Sequence, residues 1–102
     1  MLKITLYIGL NDKDTKKQEI ETIEAFKIVS NLISTLCNGG TIYSAQGIYK
    51  HENGEIVIEN TLRVELIEID PAALKRLADT IKQVLNQESI IIQRENIDTE
   101  MY

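Results

Sequence analysis

The stretch TIYSAQGIYKHENGEIVIENTLRVELIEIDP, residues 41–71, decides the fold of this chain. Its first part, Thr41–Lys50, is rich in strand-forming residues. His51–Gly54 follows and contains an Asn-Gly pair that suits a hairpin turn. From Glu55 to about Ile69, apolar residues alternate with polar ones, which predicts a second strand with one apolar face. Because fifteen residues exceed the usual strand length, we expect a bulge or bend near Asn60.

Helical patterns flank this hairpin on both sides. After it, Asp70-Pro71 predicts a helix start, with aspartate as the N-cap and proline at the first helical position. Before it, apolar residues recur at helical spacing from Ile23 to Leu36. The start of this earlier helix is open between Thr15 and Thr22. Asn38-Gly39-Gly40 provides its stop.

Two shorter strands complete the pattern. Leu2–Ile8 alternates apolar and polar residues near the N-terminus, and Ser89–Arg94 forms a last strand. The order β-α-β-β-α-β predicts an α+β, ferredoxin-like fold, in which a four-stranded antiparallel sheet carries two helices on one face. We expect one domain over residues 1–102, with a core in 1–94 and a polar tail in 95–102.

Composition excludes several classes of function. Eleven basic and sixteen acidic residues give a net charge of −5, which argues against binding to a DNA or RNA polymer. Cys37 and His51 are the only residues of their kinds, so we expect neither a disulfide nor a Cys/His metal site, and no cofactor is predicted. No apolar run is long enough to span a membrane. Met1–Leu10 alternates like a strand rather than a signal peptide, so we expect a cytoplasmic protein.

The predicted fold leaves one face of the sheet without helices, and this face is the expected binding surface. Its candidate ligand-binding residues are Tyr7, Gln46, Tyr49 and Arg63, with Lys3 nearby. An arginine offers two parallel donors to a phosphate, and tyrosines offer flat apolar rings. This combination predicts a site for a small anionic or nucleotide-like ligand.

The chain is expected to associate with a second copy through the open face or an edge strand, because small proteins commonly form symmetric oligomers. The long hairpin from Tyr43 to Glu59 is the element best suited to wrap around such a partner. A homo-oligomer is therefore the expected assembly, with another protein as a possible further partner.

Three segments resemble an uncharacterised bacterial domain family of unknown function. They are Leu6-Tyr7-Ile8-Gly9, then Gly40-Thr41-Ile42 through Gln46-Gly47-Ile48-Tyr49, and finally Gln87-Glu88-Ser89-Ile90. In that family a Gly-Leu-Thr segment leads to a Gly-Gln-Trp strand, and a Gln-Glu-Ser-Val strand closes the domain. Tyr49 stands near the position of the family's tryptophan. The resemblance implies the same fold and assigns no activity.

Two functional hypotheses remain open from the sequence. The first is a non-catalytic binding or interaction protein, such as a phage or mobile-element accessory protein that sequesters a ligand or occupies a partner. The second is a small dimeric enzyme, similar to ferredoxin-like monooxygenases or isomerases, with a pocket between subunits. The second requires Tyr7, Arg63 or His51 to converge on a pocket.

Overall fold

The computed structural model describes residues 1–102 and contains four strands and two helices. Their bounds are β1 Leu2–Gly9, α1 Thr22–Leu36, β2 Thr41–Lys50, β3 Ile56–Ile67, α2 Pro71–Val84 and β4 Ile91–Asn96. The strands form one antiparallel sheet in the order β2-β3-β1-β4. The predicted ferredoxin-like arrangement is thereby confirmed.

The sheet has two chemically different faces because side chains alternate along each strand. Even-numbered residues of β1 and β3 pack against buried residues of both helices, so both helices lie on one face. This core contains Ile4, Leu6, Ile8, Leu62, Val64, Leu66, Ala25, Val29, Ile33, Leu74, Leu77 and Ile81. Odd-numbered strand residues form the opposite surface, which we call the open face.

A side-chain cap marks the start of α2, whereas α1 begins without one. Asp70 accepts hydrogen bonds from the backbone N–H groups of Ala72 and Ala73, so the predicted N-cap of α2 is confirmed. Helix α1 begins at Thr22 rather than near Thr15. The earlier residues are occupied in a loop, where Lys16 has a φ of +62° that a helix cannot contain.

Two sequence predictions about the strands are wrong in detail. Strand β3 pairs with β2 without interruption from Ile56 to Glu65, so there is no bulge near Asn60. The strand is instead shorter than expected and ends at Ile67. Strand β4 begins at Ile91 and runs to Asn96, because its last two residues pair with the start of β1. The polar tail is correspondingly shorter.

The β2–β3 hairpin extends beyond the body of the domain. Strand β1 pairs with β3 only as far as Gly9 opposite Thr61, so residues 46–50 and 56–60 have no third strand beside them. We call these residues the hairpin arm. Its helix-side face has no helix over it, and three aliphatic side chains there are 59–71% exposed: Ile48, Ile56 and Ile58.

Candidate functional site

An arginine lies between two tyrosines on the open face. The strand register places Tyr43, Arg63 and Tyr7 side by side across β2, β3 and β1. The Cζ atom of Arg63 lies 5.4 Å from the ring centroid of Tyr43 and 5.9 Å from that of Tyr7. These distances are within the range of cation–π attraction, so the three side chains form one row.

Glu65 holds this row in place. Its carboxylate accepts hydrogen bonds from the Arg63 guanidinium (2.9 Å) and the Tyr43 hydroxyl (2.9 Å), and it forms an ion pair with the Lys3 ammonium (3.0 Å). The bonds from Lys3 and Tyr43 lower the pKa of Glu65. The carboxylate of Glu65 in turn raises the pKa of Tyr43. Arg63 is therefore ion-paired, although it shares the single charge of Glu65 with Lys3 and its buried Nε has no hydrogen-bond partner.

A second carboxylate, that of Glu59, packs over small residues farther along the sheet. Glu59 Oε2 accepts a hydrogen bond of 3.1 Å from the backbone N–H of Asn11. A Cβ atom on Gly9 would lie 2.5 Å from Glu59 Oε1, so glycine leaves the space that this carboxylate fills. Gly47 lies on the other side of Glu59 in the same cross-strand row. The open face is therefore recessed here, with a carboxylate at the bottom.

Aromatic rings stand at the far end of the recess. The rings of Tyr49 and His51 meet edge to face, with their centroids 5.5 Å apart. Desolvation, together with the negative charge of Glu59, raises the pKa of the Tyr49 hydroxyl. Tyr49 lies six positions after Tyr43 on the same strand, which corresponds to a distance of about 20 Å at roughly 3.3 Å per position.

Four of these residues, Tyr7, Glu59, Tyr49 and His51, border one groove of about 980 Å³. Its floor is made of small residues of the sheet, namely Gly9, Ala45, Gly47 and Thr61. Tyr7 and Tyr49 line it from opposite ends, while the loop after β1 and the segment before β4 add polar groups. The volume lies at the upper end of the range of about 300–1,000 Å³ that small-molecule sites occupy.

A smaller groove of about 560 Å³ lies at the opposite end of the domain, between the end of α1 and the start of α2. It contains no aromatic ring. The Asp70 carboxylate at its edge is already used as a helix cap. Burial raises the pKa of the nearby Cys37 thiol, so this group is a poor nucleophile. The open-face groove is the stronger candidate.

The structure brings some of the sequence-derived site residues together and separates others. Tyr7 and Arg63 are cross-strand neighbours. Tyr49 lines the same groove as Tyr7 at the other end, whereas Arg63 lies just beyond the lining. Gln46 borders the groove on the edge strand. Strand alternation, however, puts its side chain on the helix side, opposite to the other three.

Sequence reasoning did not select Glu59, Gly9 or Gly47 as site residues. In the sequence Glu59 stands out only as the end of the predicted hairpin, and nothing local marks it as a site residue. The signal that finds it is the register between β1 and β3, which brings Gly9 beside it after a separation of fifty residues. That register can be derived from the sequence only when the hairpin turn is fixed first.

The structure also shows what this chain does not contain. None of its helices has the length and apolar character needed to cross a membrane. No three His, Cys, Asp or Glu side chains lie close enough to hold a metal ion together.

Comparison with known proteins shows the fold and no family. No family model matches the chain, and no curated protein does. Among solved structures, a phage SAM lyase in complex with S-methyl-5'-thioadenosine has a TM-score of 0.69 at 16% identity, covering 92% of this chain and 79% of that one. CutA1 from Pyrococcus horikoshii OT3 has a TM-score of 0.60 at 18% identity, covering 99% and 87%. A B. subtilis GlnK–ATP complex has a TM-score of 0.55 at 13% identity, covering 92% and 80%.

At these levels of identity the likeness establishes a shared ferredoxin-like α+β fold and leaves activity open. The function must therefore be argued from the groove and the exposed surfaces of this chain.

Proposed function

We propose that this chain is a cytoplasmic, homo-oligomeric binding protein that holds a small nucleotide-like ligand in the open-face groove. The observation that carries the proposal is the groove itself, with tyrosines at its two ends and glycines in its floor. Flat apolar walls suit a purine or pyrimidine base, because every base can stack on an aromatic ring. Glycine and alanine in the floor let a ligand approach the backbone of the sheet closely.

The surroundings favour a small ligand over a polynucleotide. The groove is lined by four carboxylates and two lysines. The carboxylates belong to Asp12, Glu55, Glu59 and Glu88, and the lysines are Lys13 and Lys16. A polynucleotide would bring a row of phosphates to this acidic surface, and no basic stripe is present to receive them. A single small molecule needs to satisfy only the groups at the bottom of the groove.

The oligomeric part of the proposal rests on the hairpin arm. Ile48, Ile56 and Ile58 are 71%, 65% and 59% exposed on a strand pair that no helix covers. Ile48 and Ile58 are direct cross-strand partners, so they form a continuous apolar patch. Burying an aliphatic side chain contributes about 1.5–3 kcal/mol. A second copy of the chain is the partner that our proposal assigns to this patch.

A small oligomeric enzyme is the second candidate. It is favoured by one comparison, since a phage SAM lyase with bound S-methyl-5'-thioadenosine has the same fold over most of this chain. That comparison also supports a phage or mobile-element accessory role. In this alternative the groove would bind S-adenosylmethionine, whose own carboxylate would attack its γ-carbon and break the C–S bond, so that S-methyl-5'-thioadenosine and homoserine lactone are released. The chain offers the tyrosines and carboxylates of the groove, and no paired nucleophile and base.

Isothermal titration and native mass spectrometry together test the proposal. The purified protein is titrated with adenosine, S-methyl-5'-thioadenosine, S-adenosylmethionine, AMP and ATP, and the native mass is compared with multiples of 11.6 kDa. Saturable binding of at least one compound to a multiple of the chain mass is expected. Absence of binding across the panel would contradict the ligand-binding part of the proposal. A monomer at every concentration would contradict the oligomeric part.

The enzyme alternative has its own readout. S-adenosylmethionine incubated with the protein is followed by liquid chromatography for the appearance of S-methyl-5'-thioadenosine. Turnover above the spontaneous rate would replace the binding proposal by the enzymatic one. Binding of S-adenosylmethionine without turnover would leave the binding proposal standing.

A further inference from the structure

The Glu59 carboxylate has two chemically different oxygens at the bottom of the groove. One carboxylate oxygen, Oε2, is fixed by the N–H of Asn11. The other, Oε1, has no hydrogen-bond partner within the chain and lies over Gly9, where any side chain would collide with it. A carboxylate that is held by one oxygen and open at the other can accept a hydrogen bond from a ligand.

Lys16 and Arg63 already have partners within the chain, whereas the ammonium group of Lys13 at the groove has none. Lys16 donates to the backbone carbonyl of Lys13 at 2.6 Å, and Arg63 is paired with Glu65. The lining carboxylates outnumber the lining lysines by two. A phosphate entering the groove would therefore meet a negative floor without a free guanidinium to neutralise it.

Glu59 also has a central position. It lies two residues along β3 from Val57, which pairs with Tyr49, and four from Arg63, which pairs with Tyr7. At roughly 3.3 Å per residue these separations are about 7 and 13 Å. A ligand that lies between the two tyrosines comes within the screening distance of this carboxylate, which is about 8 Å at physiological ionic strength.

We propose that Glu59 makes the groove select an unphosphorylated nucleoside, neutral or cationic, over the corresponding nucleotide. This inference rests on the proposed binding function. The open oxygen of Glu59 accepts hydrogen bonds from ligand hydroxyl groups, such as the two adjacent hydroxyls of a ribose. A phosphate carries between one and two negative charges at neutral pH and is repelled by the same group. The expected ligand is thus not the anion that the presence of Arg63 suggested.

The test compares adenosine with AMP by isothermal titration in the wild type and three variants. Glu59→Gln keeps an oxygen that accepts from the Asn11 N–H and removes the charge. Gly9→Ala places a methyl group where the carboxylate lies and displaces it without touching its charge. Glu68→Gln is the matched control, because it removes the charge of an exposed carboxylate outside this groove, at the groove on the other end of the domain. Thermal unfolding shows that each variant is folded.

For the wild type we expect adenosine to bind at least tenfold more tightly than AMP, which matches a like-charge contact in a partly exposed site. In Glu59→Gln and Gly9→Ala this ratio falls towards one, while in Glu68→Gln it is kept. Equal or tighter binding of AMP by the wild type overturns the selection and leaves the binding proposal intact. A ratio that survives both Glu59→Gln and Gly9→Ala overturns the assignment to Glu59. Failure of both compounds to bind the wild type overturns this inference together with the groove as a nucleoside site.

Discussion

Replacing the two paired isoleucines of the hairpin arm with threonine should dissociate the oligomer without unfolding the chain. Threonine keeps the β-branched shape that suits a strand, so the double variant Ile48→Thr/Ile58→Thr preserves the hairpin. In the isolated chain both side chains face solvent, at 71% and 59% exposure. Exposed substitutions of this kind usually change the free energy of unfolding by less than about 0.5 kcal/mol.

The effect on association can be worked out from the same exposures. Each substitution removes about two methylene equivalents, worth about 0.8 kcal/mol apiece when buried. Since about two-thirds of each side chain is available to a partner, each contributes about 1 kcal/mol to association. Two arms in a symmetric contact bring four such side chains, or about 4 kcal/mol, which weakens the dissociation constant roughly a thousandfold.

Sedimentation velocity over a range of protein concentrations measures this shift. Ile67→Thr is the matched control, because Ile67 is a 50% exposed isoleucine of the same strand on the open face, at the end away from the arm. We expect the control to associate like the wild type and the double variant to be monomeric at the same concentrations. If the double variant stays oligomeric with wild-type affinity, the arm is not the contact and the reasoning from its exposed isoleucines fails.

Three further outcomes follow from individual side chains. Tyr7→Ala should weaken nucleoside binding about tenfold or more, because it removes a stacking surface. Gln46→Ala should leave the titration isotherm unchanged, because strand alternation points the side chain of Gln46 away from the groove. Equal losses of affinity in both variants would contradict the assigned faces. In the folded protein the pKa of Glu65 lies below its ordinary value of 4.5, so the contribution of this carboxylate to stability is complete above pH 4.5 and is lost as the pH falls through the folded pKa. Thermal unfolding between pH 3 and 7 should therefore show a smaller loss of stability on acidification for Glu65→Gln than for the wild type. Parallel curves for the two proteins would argue against this linkage. Asp70→Ala removes the N-cap of α2 and should lower the free energy of unfolding by about 1 kcal/mol. In thermal unfolding this loss corresponds to a Tm decrease of about 4–8 °C. An unchanged Tm would mean that the cap contributes nothing to stability.

The elements of the fold could be read from the sequence because their signals are local. Alternation in β1 and β3, the Asn-Gly turn and the Asp70-Pro71 pair each depend on neighbouring residues alone. The errors came where a distant partner decides the outcome. The length of β4 depends on which residues of β1 remain to be paired. The expected bulge near Asn60 is unnecessary because β2 is long enough to accompany β3 along the arm.

The candidate site was only partly accessible for the same reason. Tyr7 and Arg63 could be placed on one face by counting in twos along their strands. The ion pair between Arg63 and Glu65 could not be predicted in this way, because it depends on the side-chain geometry that also brings Lys3 to the same carboxylate. The role of Gly9 is visible only when Glu59 is seen lying over it. Gln46 was assigned to the site by its polarity, and a parity count along β2 would have placed it on the opposite face.

Mapping amide chemical shifts while adenosine is added to the isotopically labelled protein tests the central claim most directly. The open-face groove predicts saturable shifts at Gly9, Gly47 and Thr61, which form its floor. Gly39 and Gly40 line the groove at the other end of the domain and serve as internal controls that should not move. Shifts confined to Gly39 and Gly40, or no saturable shift at any amide, would contradict the open-face groove as the binding site.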